Sequence, residues 1–188
     1  MILSNATLTL DEQENSELDL SVPQRYRIEY HGMPSCPCCG APMSHRDTFG
    51  RSMTGAAGEP MRLTPRRVVC DNKDCYYHDH PVRNLPNAVL PYRRYSAKAH
   101  EAVAQGSADM PCPPNTQSRL YQWLTEAAPK WLEQVCGGED PPDFCLVQEA
   151  QEALEALPGK ALDCLREAYG SQPGWLGRLI QQLLNQKR

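Results

Sequence analysis

The chain has few aromatic residues and no long apolar run, and both shortages limit its class. It holds two phenylalanines, and aromatics make up 7% of its 188 residues. No stretch approaches the roughly 18 consecutive apolar residues of a membrane-spanning helix, so we predict no membrane segment. The hydrophobic fraction is 40%, with 17 prolines and 12 glycines. A packed core is therefore expected mainly in the C-terminal half, where helical periodicity is present.

The first 20 residues contain neither lysine nor arginine, whereas they contain five acids. A secretory signal needs a basic start before its apolar stretch, so we expect a cytoplasmic protein. The composition predicts a flexible acidic arm over residues 1–22. In such a compartment, nine cysteines favour metal binding over disulfides.

Motifs of metal-dependent catalysis are missing. The sequence has no His-Glu-x-x-His, no His-x-Glu and no clustered acidic ligands. Transposase chemistry needs widely spaced acids in a large α/β core, and this chain is too short to supply one. We therefore predict a protein that is not an enzyme.

Two cysteine-rich turns are the clearest motif that is present. Cys36 and Cys39 precede Gly40 in one turn, and Cys70 and Cys75 form the other. Four thiolates bind Zn²⁺ tetrahedrally and leave no open position, so the predicted ion is structural. Cys38 is expected to point away from it. Two histidines, His78 and His80, are alternatives to Cys75 as the fourth ligand, and Cys112, Cys136, Cys145 and Cys164 are expected in packing or loop positions.

The predicted fold class is α+β, with a small zinc ribbon followed by an all-α region. Strands are expected at residues 24–30 and 66–70, each leading into a cysteine turn, with a loop or hairpin tip at 49–58. The ribbon would span residues 23–95, a helical pair 96–136, and a C-terminal helical region 137–188. Helices are predicted at 97–105, capped by Ser96, at 117–128 with a continuation past Pro129, and at 143–157, 159–169 and 173–185.

Charge is segregated along the chain. Residues 21–100 carry twelve Lys and Arg against six acids, whereas residues 101–188 carry seven against twelve. A basic block between acidic ends can form an electrostatic footprint for nucleic acid. The alternative is that these charges are simply solvated.

The segment from Cys36 to Ser96 resembles a family of bacterial zinc ribbons of uncharacterised function. The resemblance lies in Cys36–Gly40, Arg66–Cys70, His80 and above all Leu90–Ser96, and it covers residues 26–105. That family is linked to mobile elements and precedes a helix-turn-helix similar to those of transposases. The resemblance implies DNA binding, with Gln117 and Arg119 of the helix at 117–128 facing the major groove.

Further basic residues provide a second candidate surface for nucleic acid, with Tyr92 and Tyr95 interleaved. They are Arg62, Arg66, Arg67, Arg83, Arg93, Arg94 and Lys98. A DNA-binding protein of this kind would be nucleoid-associated. A different hypothesis is a protein-interaction adaptor or homodimer that uses the acidic C-terminal helices.

Overall fold

The computed structural model describes residues 2–3, 6–11, 22–107, 112–137, 158–170 and 174–186. Strands in the N-terminal part and helices in the C-terminal part confirm the mixed α+β class. The strands are β1 (Ile2–Leu3), β2 (Ala6–Leu10), β3 (Gln24–Tyr30), β4 (Met43–Thr48), β5 (Arg51–Thr54), β6 (Pro60–Leu63), β7 (Arg66–Cys70) and β8 (Val82–Asn84). The helices are α1 (Tyr76–Asp79), α2 (Ala97–Ala104), α3 (Pro114–Cys136), α4 (Pro158–Tyr169) and α5 (Trp175–Gln186).

The strands form two four-stranded sheets. The first has the order β1-β8-β7-β4, and the second has the order β2-β3-β6-β5. The strand predicted to lead into the first cysteine turn, β3, lies in the second sheet, whereas the second cysteine turn follows β7 in the first. The segment predicted as one ribbon is thus divided between two sheets, because β3 pairs with β2 and β6 and not with β7.

Three of the strands occur where the sequence suggested irregular chain. The proposed flexible arm contains β1 and β2, and the proposed loop at 49–58 contains β5. In β2, Ala-Thr-Leu-Thr-Leu alternates in polarity and pairs with β3 from Ala6↔Tyr30 to Leu10↔Tyr26. Local acidity obscured this pattern, and pairing with a strand 16 to 24 residues later in the chain stabilises it.

The helical half is built as predicted where it is described. The Ser96 hydroxyl accepts a hydrogen bond from the Ala99 amide, which caps α2. Helix α3 begins at Pro114, a few residues before the predicted start. It continues through Pro129 because buried apolar residues, including Ala128 and Leu132, lie on the same helix face on both sides of the proline. Helices α4 and α5 correspond to the predictions at 159–169 and 173–185, while the one at 143–157 lies outside the described residues.

Helix α5 joins the helical half to the strands. Its first amides are capped by a buried carboxylate on α2: Glu101 accepts hydrogen bonds from Gly174 N and Leu176 N, both 3.1 Å long. The side-chain amide of Gln181 donates a hydrogen bond to the carbonyl of Leu85, the residue after β8. At Gly177, a Cβ atom would lie 1.9 Å from the Asn87 carbonyl oxygen, so only glycine allows this approach.

Candidate metal centre and basic surface

Four thiols from the two cysteine turns meet at one point. The sulfurs of Cys36, Cys39, Cys70 and Cys75 all lie within 4.8 Å of one another. The Cys36–Cys75 separation is 3.6 Å and the Cys39–Cys70 separation is 3.4 Å. Tetrahedral Zn–S bonds of about 2.3 Å place sulfurs about 3.8 Å apart, so the group has the dimensions of a tetrathiolate site. It could hold a metal ion.

The first turn is shaped by its backbone. The Gly40 amide donates to the Cys36 carbonyl at 2.7 Å, and the Cys36 amide donates to the Ala41 carbonyl at 2.7 Å. Gly40 has a φ of 73°, which glycine adopts without a Cβ clash. These bonds fold the chain back on itself, so that both thiols of the turn face the same point.

The second turn has four residues between its cysteines and is closed by an asparagine. The Asn72 side-chain oxygen accepts from the Asp74 amide at 3.0 Å, and the Asn72 carbonyl accepts from the Cys75 amide at 3.1 Å. Side chains of this type favour such turns because they hydrogen-bond their own backbone. The turn returns Cys75 to the level of Cys70, so the wide spacing does not prevent the four sulfurs from meeting.

Neither histidine alternative belongs to the sulfur group. The His78 ring donates from Nδ1 to the Cys70 carbonyl at 2.8 Å, a contact that orients the second turn. The His80 ring donates from Nδ1 to the Tyr76 carbonyl and stacks on the Tyr76 ring at 3.8 Å. Cys38 is exposed and lies outside the group, as expected from its place between two turn cysteines.

The thiols of the group differ in acidity. A hydrogen bond from the Ala41 amide lowers the pKa of Cys39 to about 7. Burial raises the pKa of Cys70 to about 12 and also raises that of Cys75. Thiolates at the buried positions therefore form when a cation at the centre compensates for their lost hydration.

Metal affinity is expected to rise with pH, because each thiol that is protonated in the free protein must release a proton on binding. Below pH 7 both Cys39 and Cys70 carry protons. Metal affinity should therefore fall at least about a hundredfold for each unit by which the pH is lowered. Above pH 7 only Cys70 of this pair still releases one, and the dependence should be shallower. Competition with a chromophoric chelator between pH 5.5 and 8.5 measures this slope, and a flat profile would contradict proton-linked binding.

The remaining cysteines have other surroundings. Cys112 is buried, and burial raises the pKa of its thiol. Cys164 is half-buried and packs against the helical core, as expected. Cys136 is disulfide-bonded, contrary to the prediction that the cysteines favour metal binding over disulfides. Cys145 lies outside the described residues.

Several predicted nucleic-acid contacts are engaged within the protein. The Arg66 guanidinium lies 3.7 Å from the Tyr30 ring centroid, and Arg93 lies 3.7 Å from that of Trp123. Arg67 forms a two-bond pair with Asp47, at 2.5 and 2.8 Å. Gln117 donates to the Cys112 carbonyl at 2.9 Å. These partners limit what the four side chains can offer to a ligand.

The other predicted contacts reach solvent. Arg94, Lys98 and Arg119 are exposed. Arg83 is half-buried and lies 4.5 Å from the ring centroid of Tyr92. Nine residues separate α2 from α3, more than the short turn of a typical helix-turn-helix. The helix-turn-helix therefore stays a prediction.

Tyr92 is the feature that the sequence signalled only faintly. Its side chain is 81% exposed, and its φ of 60° is the one positive φ among the described non-glycine residues. A clue to its surface position was the run Leu90-Pro91-Tyr92, since proline often opens a turn. Its backbone conformation depends on tertiary contacts.

The apolar stripes of the described C-terminal helices are used inside the chain. A single core cluster includes Leu165 of α4 and Trp175, Leu176 and Leu179 of α5, packed against Leu132 of α3. These side chains therefore offer no exposed face for an adaptor or a homodimer. In the described part of the chain, no helix combines the length and apolar character needed to span a membrane.

Comparisons with known proteins give one match, to a protein-family model. No curated protein and no solved structure matches the chain. A family model does match, from the first metal-site cysteine to Trp123 on α3, and this range includes all four clustered thiols and Tyr92. The matching family is described as a domain of unknown function, DUF6431, and residues 36–123 are similar to it.

Proposed function

We propose that this is a non-enzymatic DNA-binding accessory or regulatory protein in which the four thiols hold a structural Zn²⁺. The observation that carries the proposal is the exposed Tyr92 ring beside the Arg83 guanidinium. We call residues 90–95 the tyrosine loop. An aromatic ring next to an arginine is the combination with which proteins stack a base and hold its phosphate.

The conformation of the tyrosine loop supports a binding role. A non-glycine residue with positive φ costs on the order of 1–3 kcal/mol and persists only where its surroundings impose it. Here they do: the Arg51 guanidinium donates to the carbonyls of Leu90 and Arg93. The Thr54 amide donates to the Arg94 carbonyl at 2.7 Å. The loop therefore presents the Tyr92 ring in a preformed position, which lowers the entropy cost of binding.

The charge around the loop has the sign that a phosphate requires. Arg83 faces Arg67 across the β7–β8 pair, and only Arg67 has an acidic partner among the described residues. Arg94 and Lys98 add exposed positive charge on either side of Ser96. Like charges on paired strands repel each other, and a phosphate between them would relieve that repulsion.

Structural zinc follows from the donor set. Four thiolates select zinc or iron, and they leave no position for water or substrate. The resemblance to zinc ribbons favours Zn²⁺. The ion would hold β7, which carries Arg66, Arg67 and Cys70 within five residues, against the first turn. Metal would thus support the basic surface without acting on a substrate.

The family resemblance at residues 26–105 favours DNA over RNA, since its members accompany mobile elements. Such a protein would act in the cytoplasm, at the nucleoid. In this proposal the tyrosine loop makes the main contact, and Arg119 at the start of α3 would add a contact if the helical pair works as a degenerate helix-turn-helix.

Replacing Tyr92 by alanine is the direct test. Losing one stacked base should cost about 1–3 kcal/mol, or about 5- to 150-fold in affinity, and should leave the salt dependence unchanged. Fluorescence anisotropy with duplex and single-stranded DNA, repeated at several salt concentrations from about 50 mM to about 200 mM, measures both. Tyr121, a half-exposed tyrosine on α3, provides the matched control, and Tyr121→Ala should bind normally.

The outcomes separate the hypotheses. An equal loss in both tyrosine variants would contradict a loop-centred site, and a loss confined to Tyr121→Ala and Arg119→Ala would favour the helix-turn-helix. Absence of binding by the zinc-loaded wild type at low salt would overturn DNA binding and leave the adaptor hypothesis.

A further inference from the structure

Strand β2 forms one edge of the second sheet. It pairs with β3 along its whole length, from Ala6↔Tyr30 to Leu10↔Tyr26. The order β2-β3-β6-β5 places no strand of the described residues on its other side. An edge of this kind is a template to which another chain can add a strand.

The hydrogen bonds to β3 identify the backbone groups that face away from the sheet. Asp11, just after β2, donates its amide proton to the Arg25 carbonyl on β3 at 3.0 Å. Such bonds recur at every second residue of an antiparallel pair, so Thr9 and Thr7 also direct their backbone groups towards β3. The groups that point outward belong to the alternate residues Ala6, Leu8 and Leu10. Each of them offers one N–H and one C=O to a further strand.

The composition of β2 leaves this edge open. Its five residues, Ala-Thr-Leu-Thr-Leu, include no charge and no proline, and its register with β3 has no bulge. Charges, prolines and bulges are the devices with which soluble proteins block a free edge. Leu10 is moreover 40% exposed, so an apolar side chain reaches solvent at the end of the strand.

The other three edges of the two sheets are protected. Strand β1 is two residues long and packs against α5. Strand β4 carries charges and has a bulge between His45 and Asp47. Strand β5 is covered at its end by the tyrosine loop, because the Thr54 amide donates to the Arg94 carbonyl. The contrast distinguishes β2 as the edge that is suited to a partner strand.

We propose that β2 pairs with β2 of a second copy of this chain, antiparallel and about a two-fold axis at Leu8. In this register Leu8 exchanges hydrogen bonds with the second copy's Leu8, and Ala6 does so with the second copy's Leu10. Every outward backbone group of the strand then has a partner. The interface is isologous, as a two-fold axis requires.

The inner faces of two such strands match. Leu8 packs against the apolar core cluster beneath the second sheet. A two-fold axis perpendicular to the sheet places the two Leu8 side chains next to each other on this face. It also places Ala6 of the second copy beside the exposed Leu10, so the pairing covers apolar surface that a single chain leaves in water.

The outer faces match as well. Thr7 would lie opposite Thr9 of the second copy, and threonine pairs of this kind stabilise neighbouring strands. Within each chain Thr7 is paired with Glu29 and Thr9 with Arg27. Each row across the dimer therefore has Glu29 at one end and Arg27 of the other copy at the opposite end. Arg27 also contacts Asp11 of its own chain at 3.3 Å, and electrostatic complementarity of this kind determines register more than affinity.

This dimer leaves the tyrosine loop accessible. The loop covers β5, which lies at the edge of the second sheet opposite to β2. Pairing would join two sheets into one of eight strands, with a tyrosine loop at each outer edge. The inference does not rest on the proposed function, and Tyr92→Ala should leave self-association unchanged.

Sedimentation equilibrium of the zinc-loaded full chain tests the proposal. An edge of five residues forms a small interface, so the range should extend from about 5 µM to about 500 µM. The average mass is expected to rise with concentration from the 21.1 kDa of one chain towards twice that value. Hydrogen exchange adds a readout that needs no variant: the amides of Leu8 and Leu10 should gain protection as the concentration rises, and the amide of Thr9 should change less.

Charge substitutions on the outer face test the register. Thr7→Lys with Thr9→Lys sets like charges opposite each other in both rows and should raise the dissociation constant at least about fivefold. Thr7→Glu with Thr9→Glu should do the same. An equimolar mixture of the two variants sets opposite charges in both rows and should associate again. Thermal unfolding of each variant establishes that it is folded.

Each outcome decides the matter. A wild type that stays at the mass of one chain throughout overturns the proposal. Self-association that both charge variants retain would place the interface on another surface. If the folded variants fail to associate when they are mixed, the antiparallel register at Leu8 is wrong. Restored association in the mixture alone, together with protection of the Leu8 amide, supports it.

Discussion

A Cys70→Ser variant is expected to lose both its metal and much of its stability. Cys70 is a fully buried member of the four-thiol group, and serine has nearly its shape but does not bind Zn²⁺ as a thiolate does. Bound zinc should fall from about one equivalent to under about a tenth. If about 4 kcal/mol of metal-linked stability is lost, the melting temperature falls by about 8–16 °C. Metal analysis and calorimetry measure these two results.

The adjacent Cys38 provides the matched control. It is an exposed thiol within the first turn and lies outside the group, so Cys38→Ser should keep both zinc and melting temperature. Equal zinc in the Cys70→Ser variant and the wild type would exclude the site. Equal damage by Cys38→Ser would show that the turn, and not the four-thiol group, determines stability.

The second large effect is expected outside the four-thiol group, at Glu101. Glu101 is 6% exposed, and its carboxylate accepts hydrogen bonds from the amides of Gly174 and Leu176 at the start of α5. Hydrogen bonds to a charged group contribute about 1.5–3 kcal/mol each, and an amide left buried without a partner is costly. We expect Glu101→Ala to lower the free energy of unfolding by about 3 kcal/mol, measured by urea denaturation. Glu101→Gln keeps an acceptor and should cost less.

Hydrogen exchange localises this effect. The amides of α5 should lose protection first, since Glu101 connects α5 to α2 across 73 residues of sequence. Glu133→Ala removes the same side chain from an exposed position on α3 and should be close to neutral. If the two variants are equally stable, the Glu101 cap has no energetic role.

The four-thiol group is a feature that could be predicted from local sequence. Cys36, Cys39, Cys70 and Cys75 were identifiable because a turn of few residues places both of its thiols on one side, whatever the rest of the fold does. The position of His78 and His80 outside the four-thiol group was not identifiable, since it depends on where their rings find carbonyl partners. Ser96 as the α2 cap was likewise local and was predicted correctly.

The basic surface shows the opposite case. From the sequence, Arg66, Arg83 and Arg93 were equivalent candidates, yet the structure places two of them over Tyr30 and Trp123. Trp123 lies 30 residues after Arg93, on helix α3. Which arginines stay available for a ligand is therefore set by rings from distant parts of the chain, and no local pattern reports that.

The sequence by itself determined the α+β class, the four clustered thiols and the amphipathic helices, because turn chemistry and periodicity act within about ten residues. The tertiary structure alone decided that residues 24–30 lie in a second sheet and not in the one that carries Cys70, that Glu101 caps α5, and that Arg25 and Arg62 are paired across two strands. These outcomes depend on pairing and burial between distant segments, whose energies are settled only when the whole chain packs.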